Sequence, residues 1–367
     1  MKKFLLMHGI LLAMVINPKQ SCVTPPPIDK IESAVCTESH DQMYPSISGS
    51  RIVWQDDRNL EAYDDYNVDI YMYDVATRQE TSVCTREYSQ YAPVISGERI
   101  VWVEYGNGLD IYASELAGGG ETPICTVSQD QAYPVISGDR VVWNDARGSV
   151  FSGDFRKVYM YDFAAGQETP ISADSATLYN TNTAHVAISG DRIVWTDTRN
   201  GNPDIYMYDL ATGEETPICT DADFQDHPQI SGDWIVWADA RNGELDIYMY
   251  DLSTGEETPV CTSFGRQDLP AISSGGQIVW EDSRNGNYDI YMYDIPTGQE
   301  VPICIDFAEQ REPDISEWEG NALIVWQDYR NGNYDIYLCS LLAGATGSGW
   351  ERGKPLILNK SIAGALK

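Results

Sequence analysis

Residues 187–220, AISGDRIVWTDTRNGNPDIYMYDLATGEETPICT, contain the pattern that decides the fold. The stretch holds four segments rich in β-branched and aromatic residues, and Gly or Asn-Gly turn residues separate them, which favours strands joined by hairpins. We predict one strand that ends at Ile188 and three more over residues 192–196, 204–210 and 216–220. Four consecutive antiparallel strands are typical of one blade of a β-propeller.

The same segment recurs along the chain. Its anchor, an (Ile/Val)-Val-Trp triplet, occurs seven times between Trp54 and Trp326, with a mean spacing of about 45 residues. This period, filled with strand-type residues, predicts a propeller rather than a helical solenoid. We therefore expect an all-β protein, a seven-bladed β-propeller of four-stranded antiparallel blades, over residues 31–359.

Two segments fit the outer strand of the last blade and could close the ring. Residues 31–37 have the pattern of an outer strand that arrives before blade one, and residues 354–358 have a similar pattern after blade seven. We favour residues 31–37 as the closing strand and expect residues 360–367 to form a tail.

The first 30 residues resemble an export leader followed by a spacer. Residues 1–22 combine a basic start with a short apolar run, which predicts a signal peptide. Cys22 stands where a lipid anchor would be attached, although Lys19 and Gln20 fit a lipobox poorly. Residues 23–30 form a Pro-rich spacer, and no later apolar run approaches the ~18 residues of a membrane span. We expect an extracytoplasmic protein, whether periplasmic, cell-surface or secreted.

The charge balance limits the classes of partner. The chain has 56 acidic and 24 basic residues, a formal net charge of −32. Nucleic acids and anionic membranes are recognised through Lys and Arg, so both are poor candidates. Cations and basic partners fit this charge better, and we expect a monomer.

The repeat has a family resemblance. Ile-Ser-Gly-Asp-Arg-Ile-Val-Trp followed by Asp-x-Arg-Asn-Gly-Asn-x-Asp-Ile-Tyr resembles the TolB-type propeller repeat, a relative of the WD-type repeats, over residues 31–359. The resemblance implies an exported module that binds other envelope proteins. Two features differ from that family: Ser-Gly-Asp replaces its Ser-Pro-Asp-Gly turn, and only about 30 residues stand where TolB has a separate α/β domain.

Residues that recur in every blade are expected to be structural. We predict that the Trp side chains pack between blades and that Asp-x-Arg, as in Asp197 and Arg199, clamps the second hairpin together with Asp204. Repeated calcium sites are the alternative for these carboxylates. A Gln that recurs near the start of six of the seven blades, with Thr183 in its place in blade four, predicts a ring of inter-blade hydrogen bonds.

Six cysteines recur in the outer strands, at places too far apart for disulfides, and are interpreted as small buried residues. A disulfide between Cys36 and Cys339 is the one pairing worth weighing. The expected register places Cys36 nearer Ile336, which disfavours it.

One position varies from blade to blade, two residues after the recurring Gln and near the mouth of the central channel. Around the ring it holds Tyr44, Ala92, Tyr133, His185, His227, Leu269 and Glu312. Insertions between residues 54 and 71, 143 and 159, and 172 and 187 are expected on the same face, and such clustering is typical of a binding face. We predict a ligand-binding site formed by Tyr44, Tyr133, His185, His227 and Glu312. The alternative is that the two histidines only fill space.

Blade one has the densest acidic loop. Asp56, Asp57, Asp64, Asp65 and Asp69 are the candidate ligands of a divalent cation such as calcium, and a solvated charged loop is the alternative. Nothing else in the sequence requires a cofactor.

Two functions remain open at this point. We favour a non-catalytic extracytoplasmic scaffold that engages a protein or peptide partner of the cell envelope on the channel-mouth face. The alternative is a metal-dependent polysaccharide-active enzyme, similar to uronate lyases, with its site at the same mouth. A Gly-x-Ser-x-Gly elbow is absent from the sequence, which argues against the peptidases that join a propeller to a hydrolase domain.

Overall fold

The computed structural model describes residues 30–60, 67–106, 108–118, 120–147, 157–172 and 185–342. Their strands form seven four-stranded antiparallel sheets, so the predicted seven-bladed all-β propeller is confirmed. No helix occurs among these residues, and none of them therefore forms a helix that could cross a membrane. The proposed leader, Cys22 and the C-terminal tail lie outside the described residues.

Each blade runs from an innermost strand beside the channel to an outer strand. The innermost strands are Gln42–Ser48 (β2), Ser89–Ser96 (β6), Gln131–Ser137 (β10), Val186–Ser189 (β14), Gln225–Ser231 (β18), Gln267–Ile272 (β22) and Gln310–Trp318 (β26). The second strands are Arg51–Asp56 (β3), Arg99–Tyr105 (β7), Arg140–Asp145 (β11), Arg192–Asp197 (β15), Trp234–Asp239 (β19), Gln277–Asp282 (β23) and Asn321–Asp328 (β27). The third strands are Asp69–Asp74 (β4), Leu109–Glu115 (β8), Lys157–Asp162 (β12), Asp204–Asp209 (β16), Asp246–Asp251 (β20), Asp289–Asp294 (β24) and Asp335–Leu341 (β28). The outer strands are Gln79–Cys84 (β5), Thr122–Cys125 (β9), Gln167–Pro170 (β13), Glu214–Cys219 (β17), Glu256–Cys261 (β21), Gln299–Cys304 (β25) and, for blade seven, Lys30–Cys36 (β1).

The start of the described chain closes the ring. Strand β1 pairs with β28 along its length, from Lys30 opposite Leu341 to Cys36 opposite Ile336. The preference for residues 31–37 as the closing strand is therefore confirmed, and the competing segment 354–358 lies outside the described residues. Glu32 of β1 bonds Arg330 at 2.7 Å, as the equivalent glutamates of other blades bond their arginines.

The strand order gives the propeller two distinct faces. Connections from second to third strands, and from each outer strand to the next blade, leave at the end where the innermost strand begins. We call this end the mouth face. The Ser-Gly-Asp and Thr-Gly turns lie on the opposite face, as residues 189–191 and 212–213 illustrate in blade four.

The recurring tryptophans pack between blades, as predicted. All seven are fully buried. Trp195 of blade four belongs to a core cluster with Val142 and Val158 of blade three, and it stacks on Tyr206 with 6.3 Å between ring centroids. Its Nε1 donates to Asp197 Oδ2 at 3.1 Å, so burial of the indole leaves no orphan donor.

The recurring arginine forms a clamp, which blade five shows completely. The Arg241 guanidinium bonds Asp239 and Glu257, each at 2.6 Å, and lies over the Tyr248 ring at 4.3 Å from its centroid. It also reaches Cys219 Sγ of the preceding blade at 3.2 Å. The clamp therefore ties a hairpin to its own outer strand and to the neighbouring blade.

The predicted clamp is wrong in one detail. The aspartate that opens the third strand is not held by the arginine: Asp246 accepts a hydrogen bond from Asn242 Nδ2 at 2.7 Å. Both Asp239 oxygens accept from N–H groups of Trp237 and Arg241, where a calcium ion would otherwise bind. These bonds favour the structural interpretation of the recurring carboxylates over repeated calcium sites.

Seven cysteines lie in the described residues, and all are buried free thiols. Cys36 lies opposite Ile336 while Cys339 lies opposite Glu32, so the disfavoured disulfide is absent. Burial raises the pKa of Cys36 and Cys339 to about 12, which makes both thiols unreactive.

Candidate functional site

Seven side chains surround a cavity of about 390 Å³ where the channel opens on the mouth face. We call them the mouth ring: Tyr44, Ala92, Tyr133, His185, His227, Leu269 and Glu312. All five residues predicted to bind a ligand are among them. Their placement at one opening is thus established by the structure, while their binding role stays a prediction.

A β-bulge in the innermost strand positions most of the ring. In blade one, Tyr44 and Pro45 together lie opposite the single residue Trp54. Six ring residues, all except His185, precede a proline and have φ between +47° and +55°. Non-glycine residues rarely adopt this left-handed conformation, and a bulge re-aims the side chain, so the backbone holds these residues toward the opening.

Side chains of the neighbouring blade satisfy several of the strained backbone N–H groups. In three cases the acceptor is the residue that follows Trp in the preceding blade. The pairs are Tyr44 N with Gln327 Oε1 (2.9 Å), Ala92 N with Gln55 Oε1 (3.2 Å) and Glu312 N with Glu281 Oε1 (2.7 Å). The ring is therefore fixed across blade boundaries before any ligand binds.

The two histidines are in contact. The ring centroids of His185 and His227 are 3.8 Å apart, which confirms that these residues are neighbours. His185 Nδ1 lies 3.3 Å from Asp226 Oδ1, and His227 Nδ1 lies 2.7 Å from Asp268 Oδ1. Both aspartates are buried, so each imidazole has a carboxylate partner on one nitrogen and keeps the other nitrogen for a ligand.

The pKa values of the two histidines move in opposite directions. Burial lowers the pKa of His185, and the charge of His227 lowers it further. Burial would also lower the pKa of His227, but the hydrogen bond and charge of Asp268 outweigh it and raise that pKa. When the pair holds one proton, we therefore expect it mainly on His227.

Two glutamates extend the ionisable part of the ring. Burial, together with the neighbouring Glu312, raises the pKa of Glu281 to about 8. Burial also raises the pKa of Glu312 to about 6, although His227 and Arg311 oppose the shift. The opening therefore has an ionisable arc in blades four to seven and an apolar and aromatic arc in blades one to three, where Tyr44 is 46% exposed.

His185, His227 and Asp226 could hold a metal ion. One ligand atom from each lies within 4.8 Å of the others. Asp268, on Nδ1 of His227 and outside this set, orients that imidazole as outer-shell partners of metal-binding histidines commonly do. The donor set of nitrogen and carboxylate oxygen suits a transition metal better than calcium.

The recurring glutamines differ from the prediction. Their side chains do not bridge blades: Gln42 Nε2 donates to His40 O at 2.9 Å and Gln225 Nε2 to Asp223 O at 2.7 Å. The backbone makes the inter-blade bond instead, as in Gln42 N to Tyr334 O at 2.7 Å. Each glutamine fixes the connection that leads into the mouth ring.

The acidic loop of blade one is only partly described. Asp64 and Asp65 lie outside the described residues, as do parts of all three insertions expected on the mouth face. Asp56 bonds Trp54 and Arg58, and Asp69 bonds Asn59, so both have structural partners. Burial and the nearby Asp41 raise the pKa of Asp57 to about 6. The calcium site stays a prediction, with Asp57 as its best-placed described residue.

Sequence reasoning missed the groups behind the ring. Asp226 and Asp268, which bond the histidines, occupy the same position in two neighbouring blades, directly before a ring residue, and Glu281, which bonds the backbone of Glu312, follows Trp280. The proline that follows six of the seven ring residues was the available signal, because a proline in an innermost strand indicates a bulge.

Comparisons with known proteins support the fold. An oligogalacturonate lyase in complex with manganese is 13% identical over 88% of this chain and 98% of its own, with a TM-score of 0.61. An acylaminoacyl peptidase from Pyrococcus horikoshii is 13% identical over 86% of this chain, with a TM-score of 0.62, and this chain spans 52% of its length. TolB from Acinetobacter baumannii is 16% identical over 88% of this chain and 81% of its own, with a TM-score of 0.45.

These identities define a class of protein and no more. The chain is a seven-bladed β-propeller, the fold that its resemblance to TolB-type repeats implies. No protein-family model matches the sequence, and no curated protein matches it. Function must therefore be argued from the site.

Proposed function

We propose that the protein is an extracytoplasmic binding propeller that engages a peptide or protein segment at the mouth ring. The observation that carries the proposal is the non-repeating ring itself. Around one cavity, equivalent positions hold five different residue types, and six of the seven residues are fixed in a strained conformation. Strained backbone that is held in place by its surroundings is typical of functional sites.

The dimensions and chemistry of the opening suit a chain segment. A cavity of about 390 Å³ accommodates one or two side chains rather than a folded domain. Tyr44 and Tyr133 offer ring faces for packing, while His227 and Glu312 offer hydrogen-bonding and charged groups on the other side. A peptide with mixed side chains can use both arcs.

The free thiols are compatible with an oxidising compartment. All seven described cysteines are buried, and burial raises the pKa of Cys219 and Cys304 to about 12. Such thiols resist oxidation. They are therefore compatible with the export that the leader-like residues 1–22 predict.

A random 12-residue peptide display library, selected on the wild-type protein, tests the binding function. We expect enriched peptides to lose at least about tenfold in affinity for the Tyr44→Ala/Tyr133→Ala variant. The matched control is Arg51→Ala/Arg192→Ala on the opposite face, which should change affinity by less than about twofold. Equal affinity for all three proteins, or failure to enrich any peptide, would contradict the proposal.

A second candidate is a metal-dependent polysaccharide-active enzyme at the same mouth. The observation that favours it is the histidine pair, oriented by Asp226 and Asp268 with ligand atoms close enough for one ion. A propeller of the same fold is an oligogalacturonate lyase in complex with manganese. A bound metal would supply Lewis-acid chemistry, while His185 and His227 would hold it and Glu312 would face the substrate.

Elemental analysis of chelator-free protein separates the two candidates. A transition metal near one per chain that is lost in His185→Ala/His227→Ala would favour the enzyme and justify a screen of uronate-containing glycans. Calcium that is unchanged in the variant would point to the acidic loop of blade one. The variant's thermal unfolding should be recorded alongside, so that loss of metal is distinguished from loss of fold.

A further inference from the structure

Among the described residues, the large exposed hydrophobic side chains all lie on the face that carries the mouth ring. Within the described residues eight large hydrophobic side chains are exposed: Tyr44, Tyr88, Tyr105, Val127, Phe264, Ile305, Phe307 and Tyr329. All eight lie in connections or strand ends of the mouth face. Isolated exposed hydrophobic residues are ordinary on a protein surface, but such a one-sided distribution indicates an interaction surface.

Two phenylalanines stand out among the eight. Phe264 is 92% exposed and Phe307 is fully exposed. They occupy the same position in neighbouring connections, three residues before the recurring Gln267 and Gln310. In four other described connections this position holds a small or charged residue, in Ser39, Glu87, Ser128 and Ala222. The fold therefore does not require a large apolar residue there, and exposure of a phenyl ring costs free energy without stabilising the blade.

The basic side chains near these phenylalanines already have hydrogen-bond partners. Of the described lysines, Lys157 lies in blade three, and Lys30 of blade seven donates its Nζ hydrogens to Pro302 O and Ile303 O. The nearby Arg266 is bonded to Asp268, and Arg311 is bonded to Glu281 and Glu309.

Two further acids lie on the same side of the mouth face as the phenylalanines. Glu312 lines the cavity, and Asp306, whose Oδ1 accepts a hydrogen bond from Ala308 N at 3.2 Å, lies beside Phe307 in the same connection. Charge complementarity therefore favours a basic group on whatever covers the phenylalanines.

We propose that blades five to seven form a docking surface for an extended partner segment that combines apolar side chains, seated on Phe264 and Phe307, with a basic residue directed to Glu312. The inference rests on the proposed binding function and adds the chemistry of the partner and its path across the mouth face. Aromatic residues that are desolvated on binding commonly supply most of the affinity of such contacts.

An array of synthetic 12-residue peptides tests the inference on the full-length mature protein. One set carries an arginine and a leucine at every pair of positions in a Gly/Ser/Asn background, and two further sets carry only the arginine or only the leucine. We expect binding at a preferred spacing in the first set and at least about tenfold weaker binding in the other two. For the best peptide, Phe264→Ser/Phe307→Ser should lower affinity at least about tenfold.

The matched control is Tyr88→Ser/Val127→Ser, which removes two exposed side chains of the same face over blades one to three. It should change affinity by less than about twofold. If the control weakens binding as much as the phenylalanine variant does, the path across blades five to seven is wrong.

The remaining outcomes separate this inference from the proposed function. Affinity unchanged in Phe264→Ser/Phe307→Ser but lost in Tyr44→Ala/Tyr133→Ala would overturn the inference and leave the binding function intact. Peptides that bind equally well without a basic residue would also overturn the inference and leave the binding function intact. A concentration-dependent dimer of the wild type that the phenylalanine variant abolishes would show a second copy as the occupant and overturn the inference. No binding of any peptide would overturn both.

Discussion

The arginine clamp and the mouth ring occupy the same blades and follow opposite rules. In the clamp, Asp, Arg and an outer-strand Glu recur with nearly constant distances. Arg241 and Arg284 each have a shortest bond of 2.6 Å to their Asp and of 2.6 Å to their Glu. In the ring, equivalent backbone positions carry Tyr, Ala, His, Leu and Glu. Inter-blade packing restricts which residues the clamp positions can hold. The bulge takes most of the ring residues out of the sheet pairing, so their side chains can vary. Recurrence within this chain thus marks the scaffold, and variation marks the site.

Loss of a scaffold tryptophan should have the largest effect. Trp237→Ala is expected to lower the free energy of unfolding by roughly 3–5 kcal/mol, because a fully buried indole leaves a cavity and Asp239 loses a donor. Chemical denaturation measures this loss. Tyr44→Ala in the ring, where the side chain is half exposed, should cost less than about 1 kcal/mol. Similar losses for the two variants would erase the distinction between scaffold and ring.

The buried Glu281 should make the free energy of unfolding depend on pH. Its pKa of about 8 in the folded protein lies above its ordinary value of 4.5, so the folded state binds the proton more tightly. Stability from this group is complete below pH 4.5 and falls as the pH rises to about 8. Relative to Glu281→Gln, the wild type should lose on the order of 2–4 kcal/mol between pH 4.5 and 8. Parallel stability curves for the two proteins would show that Glu281 titrates normally.

The smallest effect is expected on the opposite face. Arg192 bonds Asp233 at 2.6 Å and Gly232 O at 3.0 Å across a blade boundary, but Asp233 is largely exposed. Arg192→Ala should therefore cost less than about 1 kcal/mol, and the cost should shrink further in 1 M salt. A loss as large as that of Trp237→Ala would mean that this face also holds the ring closed.

Much of the scaffold is predictable from sequence because its signals are local and repeated. The period, the turn residues and the alternation of residues such as Ile205 and Tyr206 specify strands, and seven copies specify the closure. Blade two shows where repetition fails. It lacks the clamp arginine, and Arg86 of the preceding connection lies over Tyr112 at 4.8 Å and bonds Glu104 and Glu121 instead.

The site was predictable in position but not in its chemistry. Equivalence between blades is enough to place His185 beside His227. Their partners Asp226 and Asp268 each lie 41 residues after the histidine that they bond, one residue before the ring position of the next blade. This spacing brings the residues near each other but does not by itself show that the side chains meet. Such pairings depend on side-chain direction after a bulge, which only the folded backbone determines.

Imidazole NMR tests most directly whether the mouth ring is the binding site. The chain has four histidines, of which His40, His185 and His227 are described, so histidine labelled at Cε1 gives few signals. Substitution of each histidine in turn assigns them. On saturation with the best peptide, we expect the His185 and His227 signals to shift while His40 serves as the reference. Peptide binding that leaves both ring signals in place would locate the site elsewhere and contradict the central claim.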